Sequence, residues 1–244
     1  VAGLIFNKNN LVIGYTANED GYERLTKPFA DFVEKLDATE VSPCKRNLKI
    51  TKKNEGLKTS AQIQYVARTG NFKKEGYEYT GVFRTLENIM DYGYLWENIR
   101  VKGGAYGCMS GYSFGGNVYF CSYRDPNLDK TNDIYEGIPE YLRNFNESDR
   151  DILKYIIGTI STLDRPKTAK GKGDAALRFY LSSITMDMVQ KERDEVMSLS
   201  NEKINKLGDI IEAVLAQDNI CVVGNAGKIE ECKSLFMETK DLLK

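Results

Sequence analysis

The chain has 244 residues, with 34 Lys plus Arg against 35 Asp plus Glu and a formal net charge of −1. That balance gives no electrostatic case for nucleic acid or an anionic membrane surface, and there is no run of about 18 apolar residues to span a bilayer. The chain contains no histidine, which excludes Ser-His-Asp and Cys-His pairs and any HExxH or HxxEH zinc motif within it.

The chain opens Val1-Ala2-Gly3, and residues 1–30 show neither the basic region nor the apolar core of a signal peptide. A piece of a longer polypeptide is expected. Residues 11–17, LVIGYTA, read as a short strand. Leu25, Phe29, Phe32, Val33 and Leu36 then share one face at helical spacing. Residues 41–60 are a basic stretch, with Lys45, Arg46, Lys49, Lys52, Lys53 and Lys58, and read as a solvated loop. A strand is predicted over 61–69, where Ile63, Tyr65 and Ala67 alternate with Gln62, Gln64 and Val66. Val82, Leu86, Ile89, Met90 and Gly93 predict a helix over 80–99 that stops at Gly103-Gly104.

Residues 105–114 and 117–124 form a hairpin signal around a two-residue Gly115-Gly116 turn. Asp125-Pro126-Asn127 ends it, with Pro126 near the first position of a helix. Helices are predicted over 129–144, 148–163, 172–185, 187–198 and 201–216, then a buried strand at Asn219–Gly224 and a final helix from Lys228. This order reads as α+β: one mostly antiparallel sheet packed against several helices, in a single domain over 1–244. No Pro-, Gly- or Ser-rich linker and no internal repeat divides it. The five cysteines (Cys44, Cys108, Cys121, Cys221 and Cys232) are odd in number and widely spaced, so reduced thiols are expected.

Gly171-Lys172-Gly173-Asp174-Ala175-Ala176 matches a loose dinucleotide fingerprint, but a helix precedes it where the fingerprint requires a strand. It is read as a glycine joint. Gly224–Lys228, GNAGK, lacks the first glycine and the Ser/Thr of a phosphate loop. The run Lys191–Glu195 reads as a solvated helix face. Residues 100–107, RVKGGAYG, stand apart. Arg100 complements a helix carboxy terminus, and Gly103-Gly104 suits a sharp turn. Tyr106 opens a strand that sets Tyr106, Cys108, Ser110 and Tyr112 on one face. Each of these features has a structural explanation. Together they aim a cation and a phenol at one spot, with bare backbone between, which suits a peptide carbonyl or a developing oxyanion.

LWENIRVKGGAYG, followed by YSFGGNVYFCSYRDPNL and a helix, resembles the last domain of the inverzincin zinc metallopeptidases, the pitrilysin and insulin-degrading group, in its presequence protease branch. The resemblance covers essentially the whole chain and is strongest over residues 80–145. It implies a long enzyme of two halves closing around a chamber for unstructured peptides. The N-terminal catalytic half would carry HxxEH and hold the zinc, with no metal in this domain. Arg100 would hold a substrate carbonyl, and Tyr106 would donate to the scissile carbonyl oxygen. Gly103, Gly104, Ala105 and Gly107 would let the peptide backbone approach. Because the chain lacks the zinc motif and the base, it is expected to be inactive alone. A catalytically silent peptide-binding or scaffold subunit of the same family stands as the alternative. The expected place is the bacterial cytoplasm, with a mitochondrial or plastid matrix as the alternative. Ser110, Tyr112 and Arg124 stay undecided between chamber lining and core.

Overall fold

The computed structural model describes residues 1–40, 42 and 51–242. In chain order its elements are α1 (Ala2–Ile5), α2 (Glu19–Glu34), β1 (Glu55–Thr59), β2 (Gln64–Asn71), α3 (Val82–Ile89), β3 (Gly107–Tyr112), β4 (Asn117–Asp125), α4 (Asp129–Glu136), α5 (Ile138–Arg143), α6 (Asp149–Leu163), α7 (Ala169–Leu181), α8 (Met186–Met197), α9 (Asn201–Ala216), β5 (Asn219–Asn225), α10 (Ala226–Glu231) and β6 (Glu238–Asp241). They fall into two compact units, Val1–Ile50 with Arg165–Val189, and Thr51–Asp164 with Gln190–Lys244. Cys44 and most of the basic stretch after residue 40 lie outside the described residues.

In the first unit, α2 begins at Glu19 because the Asn18 side chain accepts the Gly21 N–H, a cap upstream of the apolar stripe. Phe29, Val33 and Leu36 of that stripe are half-buried. The strand expected over 11–17 is an unpaired segment, and Leu11, Val12 and Ile13 stay exposed. An apolar run without a partner ladder does not become a strand. α7 starts at Ala169, where Thr168 accepts the Gly171 N–H. The glycines of the fingerprint-like stretch therefore sit inside a helix.

The second unit holds a six-stranded sheet in the order β3-β4-β2-β5-β1-β6. Its β3/β4, β4/β2 and β2/β5 joins are antiparallel, while β1 runs parallel to both β5 and β6. The sheet is thus mixed: of its parallel part, β5 is the strand expected at Asn219–Gly224, while β1 and β6 fall where a loop and a helix were expected. β1 carries one large apolar residue, Leu57, and is held by its neighbours. Asn54 donates to Asp218 Oδ2 at 3.1 Å and accepts the Ile220 N–H at 3.2 Å, and its carbonyl accepts the Met237 N–H at 2.8 Å.

β2 has the opposite phase to the expected one. Its buried residues are Gln64, Val66, Arg68 and Gly70, while Tyr65 faces out. Arg68 can point inward because Nη1 donates to Asn132 Oδ1 at 2.8 Å and to Glu136 Oε1, and Nη2 donates to the Leu215 carbonyl at 3.0 Å. On the same side Val118 and Phe120 of β4 meet the core with Val66, Ile220 and Val222. Leu86 and Ile89 of α3 and Ile204, Leu207 and Ile211 of α9 complete that core. Met109, Tyr119 and Tyr65 are left exposed on the other face.

The helix expected over 80–99 is α3 followed by two π-wound turns, Met90–Tyr94 and Trp96–Val101. Its end closes with the Ala105 N–H on the Ile99 carbonyl and the Gly104 N–H on the Arg100 carbonyl, and Gly104 sits at φ +80. These bonds are the glycine closure of a helix end made one residue wider, as π winding requires. The hairpin turn is a three-residue loop. Ser113 N–H bonds the Asn117 carbonyl, Gly116 N–H bonds the Ser113 carbonyl, and Gly116 alone takes positive φ. The helix expected over 129–144 breaks at Gly137, because Pro139 cannot donate to the turn before it.

Candidate functional site

Arg100 lies in the last π-wound turn, half-buried, with its guanidinium carbon 4.5 Å from the Trp96 ring centroid. The same carbon is 5.6 Å from the Tyr106 ring centroid. Tyr106 is 58% exposed. Its N–H donates to the Arg124 carbonyl at 3.2 Å, which continues the β3/β4 ladder one step past the Gly107–Tyr123 pair. The Tyr123 ring leans on the Tyr106 ring, with centroids 5.6 Å apart and planes at 60°. Arg124 lays its guanidinium carbon 5.3 Å from the Tyr106 ring centroid. Among the described residues, no carboxylate pairs with Arg100 or Arg124 and no group bonds the Tyr106 hydroxyl.

The turn between them is tightly specified. A Cβ on Gly103 would lie 2.5 Å from the Ile99 carbonyl oxygen, and one on Gly107 would lie 2.5 Å from the Tyr123 ring. At Gly104 only Pro126 Cγ comes near, at 3.6 Å, so there the positive φ is what demands glycine. The Gly103 carbonyl accepts Asn127 Nδ2 at 2.7 Å, and Ala105 is buried. Asp125 is fully buried, taking the Asn127 N–H on Oδ1 and the Thr131 hydroxyl on Oδ2. The backbone of the site is thus fixed at both ends.

Of the residues left open by sequence, Ser110 and Tyr112 belong to the core. Ser110 donates from both N–H and Oγ to Asp91 Oδ1 at 2.7 Å, and Tyr112 stacks on Phe83 at 5.2 Å. Burial pushes the Asp91 carboxyl up to about 6, against the pull of the two Ser110 bonds. Burial likewise lifts the Cys108 thiol to about 11, which rules against a thiolate nucleophile. Arg124, left open between chamber lining and core, lies against the Tyr106 ring, and Trp96, which the sequence did not single out, lies under Arg100. The i, i+4 spacing of Trp96 and Arg100 was a readable signal. Arg124 could be placed only once the hairpin register was known.

Zinc does not fit the residues present. The chain has no histidine, and no group of three or more His, Cys, Asp or Glu side chains that could hold a metal exists among the described residues. The four described cysteines are free thiols. No helix among the described residues is long and apolar enough to cross a membrane.

A mixed six-stranded sheet packed against helices defines the class as an α+β domain. Pitrilysin matches with a TM-score of 0.58 and 13% identity over 84% of this chain and 23% of that one. A protease from Helicobacter pylori matches with a TM-score of 0.59 and 13% identity, over 85% of this chain and 52% of that one. At such low identity these likenesses establish the fold. The particular family follows from the sequence itself: a model of the PreP C-terminal domain matches residues 54–227, and the chain belongs to that family. It is 42% identical over its full length to Protein HypA of Clostridium perfringens (strain 13 / Type A), covering 25% of it. It is also 29% identical to Presequence protease 1, chloroplastic/mitochondrial, of Arabidopsis thaliana, over 97% of this chain and 22% of that protein. The chain spans about a quarter of the length of these curated relatives.

Proposed function

We propose that residues 1–244 act as the last domain of a zinc metalloendopeptidase that degrades unstructured peptides in a closed chamber. Arg100 donates to a substrate backbone carbonyl. Tyr106 donates its phenolic hydrogen to the scissile carbonyl oxygen as negative charge develops there. Gly103, Gly104, Ala105 and Gly107 keep the intervening backbone low enough for the peptide to approach. The zinc, its ligands and the general base belong to the N-terminal catalytic half, so this chain alone does not cleave peptides. Nucleic acid and membrane are not partners. The bacterial cytoplasm is the proposed compartment, with an organelle matrix as the alternative.

The observation that supports this reading is the exposed Tyr106 phenol beside the Arg100 guanidinium, both without polar partners among the described residues. The test compares zinc-dependent cleavage of an unstructured fluorogenic peptide by the complete polypeptide and by its Tyr106→Phe variant. Loss of one oxyanion donor lowers kcat by roughly 10²–10³-fold with zinc content unchanged. A rate near wild type would make Tyr106 a packing residue. A second reading is a silent peptide-binding subunit. The chain's own lack of histidine, and so of any HxxEH motif, is what keeps that reading open. Absence of zinc-dependent cleavage by the complete wild-type polypeptide would select it.

A further inference from the structure

We infer that Arg124 is a positioning residue for Tyr106, holding the phenol ring where it meets the substrate carbonyl. The inference rests on the reading of Tyr106 as the oxyanion donor and adds a residue to that site.

The first observation is the backbone. Arg124 takes φ +48, in the left-handed region that glycine and asparagine enter more readily than arginine. The local geometry therefore gives no reason for an arginine at this position, and the reason must lie in its side chain. That side chain makes no ion pair and no hydrogen bond among the described residues. Its nearest acidic neighbour in sequence, Asp125, is buried and has both oxygens committed to Asn127 and Thr131. What the guanidinium does meet is the Tyr106 ring, 5.3 Å from its centroid.

The second observation is the hydrogen bond between the same two residues. The Tyr106 N–H donates to the Arg124 carbonyl, so the backbone of one residue sets the height of the other. An exposed tyrosine at a strand entrance has several open χ1 wells. Here the ring is touched by Arg100, Tyr123 and Arg124, with centroid distances of 5.6, 5.6 and 5.3 Å. Arg124 is the nearest of the three to the ring centroid. A planar guanidinium suits this contact, because it lies flat on an aromatic face while a lysine ammonium does not. Holding a hydrogen-bond donor still before the substrate arrives is worth more to the rate than to binding.

The experiment uses the complete polypeptide, an unstructured fluorogenic peptide, and zinc content as the control for integrity. Arg124→Gly removes the guanidinium while relieving the backbone. Arg124→Asn also accepts the left-handed conformation and serves if the glycine variant folds poorly. Both lower kcat about tenfold with KM within about twofold of wild type, and Arg124→Lys recovers part of the loss. In the Tyr106→Phe background, Arg124→Gly has no further effect beyond about twofold, because no phenol is left to position. Wild-type kcat in both Arg124→Gly and Arg124→Asn would overturn the inference. So would a full tenfold loss on top of Tyr106→Phe, which would mean that Arg124 acts independently. If Tyr106→Phe itself retains wild-type kcat, the oxyanion reading fails and this inference falls with it. If Tyr106→Phe is slow while both Arg124 variants are fast, only the inference fails.

Discussion

Gly107→Ala tests how far packing at the hairpin governs the site. Gly107 faces Tyr123 across the β3/β4 ladder. A Cβ at position 107 would lie 2.5 Å from Cε1 and Oη of Tyr123 and 2.6 Å from Cζ. Carbon atoms rest near 3.5–4.0 Å, so the ring must retreat by about 1 Å or more. Overpacking costs roughly 1–3 kcal/mol, and the half-buried Tyr123 ring can swing toward solvent, which puts the cost near the lower end. About 1 kcal/mol corresponds to a fall in Tm of about 2–4 °C for a chain of this size. The functional consequence is larger, because the Tyr123 ring leans on Tyr106. Its retreat moves the phenol, and kcat of the complete polypeptide falls about tenfold. Thermal melts and kcat are measured for Gly107→Ala, Tyr123→Ala and the double variant. With Tyr123 gone the clash is gone, and alanine at 107 then costs nothing in Tm or adds slightly. An unchanged Tm and kcat in Gly107→Ala would refute the reasoning, and so would an equal loss in the Tyr123→Ala background.

Asp91 should make stability pH-dependent. Its folded carboxyl titrates near 6 against 3.8 unfolded, so the stability it contributes is full below the unfolded value and lost as pH rises through 6. The shift is worth about 3 kcal/mol before screening and about 1–2 kcal/mol once partial solvation is allowed for. Asp91→Asn keeps an acceptor for Ser110 but cannot ionise. Relative to wild type it gains about 1 kcal/mol or more between about pH 4.5 and about pH 7.5 in urea denaturation, and a difference that does not change with pH would sink this account. Arg68→Met leaves the Leu215 carbonyl and Asn132 Oδ1 without their donor inside the fold. The expected loss is roughly 2–4 kcal/mol in the same assay, and a loss under about 1 kcal/mol would mean that water reaches the cluster.

What could be read from sequence divides along physical lines. The helices of residues 149–163 and 201–216 were legible because apolar spacing and serine caps at Ser148 and Ser200 agree. β2 was found but in the wrong phase. Periodicity treats Gln64 and Arg68 as surface residues, yet both point inward, and the partners that permit this lie about 64 to 161 positions away in sequence. β1 and β6 were not legible, because EGLKT and ETKD carry little apolar content and become strands through their neighbours. In the site, the glycine turn and the Arg100 and Tyr106 pair could be read from local chemistry. Arg124 could not, since its approach to Tyr106 depends on the left-handed backbone at the end of β4.

Around the turn, the backbone and the side-chain tips differ in how their polar groups are committed. A turn kept only for packing commits its polar tips, as Arg68, Asp125 and Glu192 do elsewhere in the unit. Around Gly103-Gly104 the backbone is the committed part. Asn127 holds the Gly103 carbonyl, the Arg124 carbonyl holds the Tyr106 N–H, and the Ile99 and Arg100 carbonyls hold the residues that follow the helix. The tips of Arg100, Tyr106 and Arg124 have aromatic or cationic neighbours but no polar partner among the described residues. Two guanidiniums drawn to one ring without a carboxylate repel each other mildly, a cost that the free domain bears without return. A carbonyl oxygen gathering negative charge beside Arg100 and the Tyr106 hydroxyl would offset that penalty as the oxyanion forms, while Arg124 contributes by holding the ring that carries the hydroxyl.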